Sequence, residues 1–568
     1  MRGGNVMHPP MRLLVLVWAC VGLACSSGQK AASVDSNGDL FITHARFLDA
    51  PSGSDALLVR AGNIVALGTE ATLKPQVPAN ARVLDAKGGY VLPGFHDAHL
   101  HMLGAGMMRN AVDLSEAATM DDAQKKLAAF AKAHPDVQFI EGRGFQYGLT
   151  APNTFPTRQQ LDAAVPDRPA FIRSYDGHSG WANTKALERA GITAETKDPE
   201  GGRIVRDVDG KSPQGTLLEG AQFLMNGAVP KPTEKDKRAA LKAAAEELVK
   251  LGITSAQEIA FDATEFALFD ALHAAGELPL RVTVSLPLDG DLAAYARTRD
   301  AHQGAYVGFG FLKGFVDGVI ESRTAFMLRP YEGTTDDKGR PMMEEARLKA
   351  LVLQAHAAGF GVALHAIGDA AVRLSLDAYE AAQKAHPAVK VVHRVEHIEV
   401  VDPADVGRFK ALGVIASMQP FHANPGGPTP DDGVWSKNLG PARLPNTFAW
   451  RTLKDAGATL AFGSDWPVMG ANPLWGLAMA TSRKDPNGQP PSGWNAHQVV
   501  SVAQAVEAYS VGSATAVGRG DRVGRLLAGQ WGDVVVLDPL VDPNQTATLW
   551  KGAVAATVVG GVVRYQVP

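Results

Sequence analysis

The sequence predicts an α/β protein: a (β/α)8 TIM-type barrel carrying a small β-sandwich domain built from both chain ends. Three observations lead there. Eight apolar, strand-like runs alternate with helical stretches between about residues 93 and 516. Side chains of metal-binding type stand at the C-terminal ends of five of those runs, the face on which such a barrel keeps its active site. Short strands with turns fill both ends of the chain, and neither end has enough of them to be stable alone.

Taken in order, residues 1–25 read as an export signal. Arg12 precedes the apolar stretch LLVLVWACVGLA, too short to span a membrane. It ends at Ala24-Cys25 and a polar tract, which resembles a bacterial lipoprotein signal, although Gly22 stands where an aliphatic residue is usual. Cys20 after Ala19 is a second candidate for lipidation. The expected location is therefore the cell envelope, lipid-anchored or periplasmic, with membrane contact only through that anchor. Residues 26–37 follow as a flexible linker.

Residues 38–92 read as short strands, LFITHARFLDA, DALLVRAGNIVALG and ARVLDAKGGYVLPG, with a hairpin turn at Gly62-Asn63. Residues 517–568 mirror them with GDVVVLDP, AVAATVVGGVVRYQ and a Gly560-Gly561 turn. The two ends are expected to pair into one sandwich, with 93–516 inserted as the barrel. The expected barrel strands are the run ending at His99 and His101, then 169–176, 252–258, 307–318, 361–366, 391–397, 413–419 and 458–465. TEKDKRAALKAAAEELVKLG and EEARLKALVLQAHAAG lie between them with apolar residues at helical spacing and a closing glycine. No Gly-rich phosphate loop follows any strand, which disfavours a doubly wound sheet.

Composition removes several function classes. The 568 residues, 46% hydrophobic and 20% charged, are ordinary for a globular protein with a large core. Lys and Arg total 55 against 59 Asp and Glu, a net charge of -4 without a basic tract, so no nucleic-acid partner is expected. Both cysteines, Cys20 and Cys25, fall in the leader. Cysteine can then supply neither nucleophile nor metal ligand beyond it, and any metal must be held by nitrogen and oxygen.

The stretch PGFHDAHLH, residues 93–101, carries the most chemistry. In extended chain Asp97, His99 and His101 share one face and His96 takes the other. Two imidazoles at i and i+2 can hold one metal ion from the same side. The other strand ends carry Lys313 and Asp317, His365, His397, and Asp465. Apolar side chains normally fill a barrel interior, so five such ends point to a metal site. Lys313 shares a strand face with Phe311, Phe315 and Asp317; inside a barrel it must shed its charge or find a partner, either by pairing with Asp317 or by carbamylation.

These motifs resemble the metal-dependent amidohydrolase superfamily. PGFHDAHLH, LKGFVDG, ALHAIGD, RVEH and FGSDWPV occur in the superfamily's order. DGHSGWANTKAL, SPQGTLLE and ESRTAFMLRPY are similar to the branch that includes N-substituted formamide deformylases. The resemblance covers nearly the whole mature chain. It implies His99 and His101 as ligands of a buried metal and His365 and His397 as ligands of a second. Asp465 would touch the first metal and the water. Lys313 would be the bridge, carbamylated with carbon dioxide, and Glu258 is the alternative bridging carboxylate. The implied cofactor is a divalent metal, zinc above iron or manganese, as one or two ions.

The function this implies is hydrolysis of a non-peptide carbon–nitrogen bond, in a small-molecule amide, N-formyl or N-acyl substrate, by metal-activated hydroxide. Asp465 would pass the water's proton to the leaving nitrogen, and His178 would hydrogen-bond the carbonyl or its oxyanion. Asp369 would either orient His365 or cap the helix after it, and Arg323 and Trp466 would line the pocket. The segments at 421–435 and 481–494 read as loops over the barrel mouth. An ester, lactone or cyclic amide is the alternative substrate on the same centre. A catalytically silent envelope-anchored binding protein is the alternative outside enzymes; it should lack Asp465 or a histidine, and none is missing. The sequence leaves homo-oligomerisation open.

Overall fold

The computed structural model describes residues 38–108, 111–150, 154–423 and 433–567. The expected export signal (1–25) and linker (26–37) lie outside the described residues, as does most of the expected loop at 421–435. Among the described residues no helix is long and apolar enough to cross a membrane.

The two chain ends form a pair of four-stranded sheets. In one, Leu40–Thr43 pairs antiparallel with Ala56–Arg60 and parallel with Arg82–Asp85, and Asn63–Gly68 forms the edge. In the other, Val91–Pro93 pairs with Val534–Leu537, which continues into Val554–Val559 and Val562–Gln566. The period-two pattern decides which side chains meet. Leu40, Ile42, Leu57 and Val59 join Val91, Val534, Val536 and Val558 in one core between the sheets, whereas Phe41, Ala56 and Leu58 pack outward against Leu73.

Both hairpins turn on paired left-handed residues. Gly560 (φ +58°) and Gly561 (φ +73°) connect Val559 to Val562. At the N-terminal hairpin the turn residues are Ala61 (φ +46°) and Gly62 (φ +78°), not Gly62 and Asn63, because Asn63 already pairs with Arg60. Positive φ at both positions is what a two-residue turn between twisted strands requires.

Eight parallel strands make the barrel: Phe95–Leu100, Ile253–Ile259, Arg281–Pro287, Val307–Phe315, Val362–Ala366, Arg394–His397, Ile415–Met418 and Leu460–Phe462, each hydrogen-bonded to the next. Closure runs through the chain just beyond the eighth strand. Asp465 N donates to His99 O (2.7 Å), and His101 N donates to Trp466 O (2.8 Å).

One expected strand is not in the barrel. Ala170–Ser174 lies in a separate six-stranded sheet spanning Val112 to Glu219, parallel to Ile140–Phe145 and antiparallel to Ser179–Ala182. The second barrel strand is Ile253–Ile259, and the third is Arg281–Pro287, which the sequence reading passed over. An apolar run reports that a strand is buried; it does not report which neighbour supplies its hydrogen bonds. The inserted sheet therefore separates the first barrel strand from the rest.

The helix Glu234–Lys250 begins at a capping box between Thr233 and Asp236. It buries Leu241, Ala244, Ala245, Leu248 and Val249 in the same core as the barrel strands. The barrel interior is not wholly apolar. Arg394, 1% exposed, lies 3.8 Å over the Phe311 ring and donates to Gln257 Oε1 and, at 2.8 Å, to Ala98 O. At the start of the third strand, Arg281 Nε and Nη2 bind the two oxygens of Asp533 at 2.7 and 3.0 Å, joining barrel to C-terminal sheet.

Candidate metal centre and substrate pocket

Strand one presents alternate side chains to opposite sides. His99 Nε2 lies 3.4 Å and His101 Nε2 3.2 Å from Asp465 Oδ1. Asp97 does not join them. Its Oδ1 accepts the amides of His99 (3.1 Å) and Ser464 (3.0 Å), tying the first strand end to the eighth, and burial pushes its carboxyl up to about 7. His96 faces away, where Gln257 Nε2 donates to its Nε2 at 3.0 Å. Gly463 permits this closeness: a Cβ there would meet His99 N at 2.6 Å and Asp97 Oδ1 at 2.8 Å.

Asp465 itself is left-handed (φ +59°), as are His397 (φ +74°) and the β-branched Ile398 (φ +50°). Strained backbone of this kind persists only where the surroundings enforce it, and it clusters at functional sites. Burial opposes the charge of Asp465, but the imidazoles of His99, His397 and His101 hold its carboxyl well below the usual range. Asp465 Oδ2 lies 3.9 Å from His397 Nδ1. Burial lowers the imidazole of His99 to about 4 and those of His365 and His397 well below the ordinary value. These rings are therefore neutral, the state in which imidazole binds metal.

His365 and His397 stand with ring centroids 4.4 Å apart. His365 Nε2 is 3.3 Å from the Gly318 carbonyl, and His397 Nδ1 donates to Gln419 Oε1 at 2.9 Å. Lys313 Nζ is buried with no hydrogen-bond partner among the described residues, 4.8 Å from the Phe315 ring centre. Burial brings its amine down to about 8, against the pull of Glu396 and Asp465. Asp317 is not its partner, since that carboxylate accepts the amides of Phe326, Ile367 and Gly368 at 2.8–3.0 Å.

His178 comes from the hairpin between Ala170–Ser174 and Ser179–Ala182 of the inserted sheet, not from a barrel strand. Its ring centre is 5.1 Å from that of His365. Its Nδ1 donates to Glu219 Oε2 at 2.7 Å, and Glu219 Oε1 accepts from Thr324 Oγ1 at 2.6 Å. Desolvation opposes a charge on His178, but Glu219 and Asp176 outweigh it and raise the imidazole to about 10. A cationic donor thus faces neutral imidazoles.

Two other expected carboxylates, Glu258 and Asp369, bind backbone amides. Glu258 accepts the amides of Met102 (2.5 Å) and Leu103 (3.1 Å) at the start of the helix Met102–Met108. Asp369 accepts those of Leu328 and Ala370 and heads its own helix, Asp369–Ala385, rather than binding His365. Arg323 Nε donates to Asn438 Oδ1, and Trp466 lies in the main core with its carbonyl on His101 N.

Among the described residues, two triads offer ligand atoms within 4.8 Å of one another: His99, His101 and Asp465, and His397, His422 and Asp465. Sequence reasoning missed His422, Glu396, Glu219 and Gln419. The first had a usable signal, since a histidine just beyond a barrel strand's C-terminal end lies on the catalytic face. The donor set suits a borderline divalent ion: neutral imidazoles and a carboxylate, oriented by buried hydrogen bonds.

A family model described as "Amidohydrolase family" matches residues 82–565. The N-substituted formamide deformylase of Arthrobacter pascens is 30% identical, over 93% of this chain and 98% of its own length. The putative amidohydrolase YtcJ of Bacillus subtilis is 29% identical, over 91% and 97%. An uncharacterised metal-dependent hydrolase from Pyrococcus horikoshii shares the fold, with a TM-score of 0.70 at 24% identity, covering 89% of this chain and 98% of that one.

Proposed function

The chain belongs to the amidohydrolase family, and from that premise we propose that it is a metal-dependent hydrolase cleaving a non-peptide carbon–nitrogen bond in an N-formyl or N-acyl amine. The observation carrying this reading is the convergence of His99 Nε2 and His101 Nε2 on Asp465 Oδ1, with the His178 ring 5.1 Å from that of His365. His99, His101 and Asp465 would hold a divalent cation, zinc by preference, while His365, His397 and Lys313, the last as a carbamate, would line a second position. When bound, such a cation supplies Lewis acidity that lowers the pKa of water from about 16 toward 7 and polarises a carbonyl.

The rest is work for side chains. Asp465, held ionised, accepts the proton of the attacking water and delivers it to the departing nitrogen, which leaves poorly as an anion. His178 donates to the substrate oxygen as charge builds there. Glu219 keeps it charged and aimed, so no reorganisation is needed at the moment of reaction. The products are an amine and an acid such as formate. The deformylase activity in the name of the Arthrobacter relative supports the N-formyl class.

The deciding experiment assays protein stripped with chelator and reloaded with zinc, iron(II) or manganese(II), on N-formyl and N-acyl amines with esters and lactones as controls. Metal-dependent amine release is the expected result. Faster turnover of esters or lactones would reassign the bond, and absence of turnover on every class with metal bound would favour a silent binding protein. The leader supports envelope anchoring through Cys25 or Cys20. Replacing both with Ser should release the protein from the membrane fraction, and no change on fractionation would refute the anchor.

A further inference from the structure

Two of the sequence segments, SPQGTLLE and ESRTAFMLRPY, meet through Glu219 and Thr324. Glu219 ends the strand Pro213–Glu219 of the inserted sheet and is buried, with positive φ (+49°). Its N donates to His178 O at 2.9 Å, and its Oε2 accepts from His178 Nδ1 at 2.7 Å. Its Oε1 accepts from Thr324 Oγ1 at 2.6 Å. Thr324 stands in the loop after the fourth barrel strand, Val307–Phe315. There Val319 N donates to Thr324 Oγ1 at 3.0 Å, and Ser322 Oγ lies 2.7 Å from the same oxygen. A second tie joins this loop to the hairpin of His178, since Tyr175 Oη donates to Glu321 Oε1.

A hydroxyl has one proton and two lone pairs, which fixes the direction of this chain. Thr324 gives its proton to the Glu219 carboxylate, the nearer and charge-assisted acceptor; Val319 O is 3.3 Å away. Its lone pairs then take the Val319 amide and the Ser322 hydroxyl. Protons therefore point from Ser322 to Thr324 to Glu219, and from His178 Nδ1 to the far oxygen of the same carboxylate. Nε2 is left as the nitrogen of His178 that can meet a substrate. The loop also touches the metal centre, because Gly318 O lies 3.3 Å from His365 Nε2. Only glycine fits there: a Cβ would collide with Thr324 Oγ1 and Glu219 Oε1.

We propose that Thr324 is a positioning residue for the reaction, fixing through Glu219 the ring of His178 against the carbonyl oxygen of the substrate. The proposal rests on the role given to His178 above and deepens it. His178 belongs to the inserted sheet, so something must register it to the barrel. A glutamate held at one oxygen alone can swing about its side-chain torsions; the second bond, to Thr324, pins it from the barrel side. The donor is then aimed before charge builds on the oxygen, which is what gives such a donor its worth. Ser322 is the outer end of the chain. The relay acts on an acyl oxygen, common to amides and esters, and so serves either bond.

The test is a double-mutant cycle on zinc-loaded protein, with N-butylformamide and phenyl acetate as probes. Thr324→Val keeps the shape and removes the donor. It should lower kcat about tenfold or more, short of the roughly 10²–10³-fold loss for removing an oxyanion donor itself. KM and bound zinc should not change, and Thr324→Ser should restore most of the rate. In a His178→Gln background Thr324→Val should cost nothing further, because residues acting through one another do not add. The same loss in both backgrounds would overturn the proposal, as would wild-type kcat in Thr324→Val. A readout without turnover comes from protein carrying isotopically labelled histidine. The Nδ1–H resonance of His178, identified by its absence in His178→Gln, should shift in Thr324→Val. An unmoved resonance overturns the relay and leaves the proposed function standing. A shifted resonance in a protein that hydrolyses neither probe strikes down that function, and with it the part Thr324 plays in catalysis.

Discussion

Glu396 Oε2 accepts a hydrogen bond from His99 Nδ1 at 2.7 Å, with both side chains at 1% exposure or less. The contact settles which nitrogen of His99 is free: the proton stays on Nδ1, and the Nε2 lone pair faces Asp465. Arg394 binds the other oxygen of Glu396. Burial alone would raise this carboxyl, but Arg394 and His99 hold it down at about 2. Glu396→Gln keeps the shape and removes the charge. Metal affinity at the His99 position should fall about 10–100-fold by chelator competition, with an intact fold by circular dichroism. An unchanged affinity would mean the tautomer is fixed by something else.

Asp465→Asn should preserve the fold and lower kcat by about 10²–10⁴-fold, the range for loss of a general acid–base. Rapid quench under single-turnover conditions separates chemistry from product release. Turnover at the wild-type rate would remove Asp465 from the proton relay.

His178 sets an alkaline limit. Its value of about 10 stands above the ordinary 6.5, so stability from its charge is complete below pH 6.5 and is lost as pH rises through 10. Activity that needs the imidazolium should hold across neutral pH and fall on the alkaline side. Glu219→Gln removes the main stabilising charge and should shift that limb of the kcat/KM profile toward 6.5. A limb that stays in place would detach it from His178.

Among the described residues Lys313 is a buried amine without a hydrogen-bond partner, so Lys313→Met should leave the melting temperature unchanged or higher. Activity should nevertheless drop about 10²-fold or more. If the amine carries a carbamate, refolding without carbon dioxide should give weakly active protein that bicarbonate restores. Full activity in the methionine variant would assign Lys313 to packing alone.

The pair between Arg281 and Asp533 carries a stability prediction away from the site. Both side chains are nearly inaccessible, and two hydrogen bonds join them. Arg281→Met or Asp533→Asn alone leaves its buried partner unmatched and should cost about 3–5 kcal/mol in urea unfolding; the double variant should cost less. Turnover at low denaturant should barely change.

Much of this molecule was legible one residue at a time. The i, i+2 spacing of His99 and His101 put two imidazoles on one face, because strand geometry is local. The ends of the barrel strands at Lys313, His365, His397 and Asp465 were readable for the same reason. The helices at 234–250 and 345–357 announced themselves by their apolar spacing. What failed was pairing. The run at 169–176 looked as much like a barrel strand as its neighbours, yet it belongs to the inserted sheet, while Arg281–Pro287 does the work assigned to it. Asp369 was likewise ambiguous between a helix terminus and His365 until the backbone amides around it were in view.

By itself, then, the sequence determined the chemistry on offer: nitrogen and oxygen ligands without cysteine, repeated at strand ends, in a chain that closes on itself through its β-rich termini. Only the tertiary structure decided who meets whom. His178 reaches the barrel rim from a different sheet, Glu396 selects the nitrogen of His99, and Glu219 holds His178 from another strand of that sheet. The physical reason is that side-chain direction is set by the φ and ψ of a few consecutive residues, whereas these contacts span up to 297 positions and depend on which strands share hydrogen bonds.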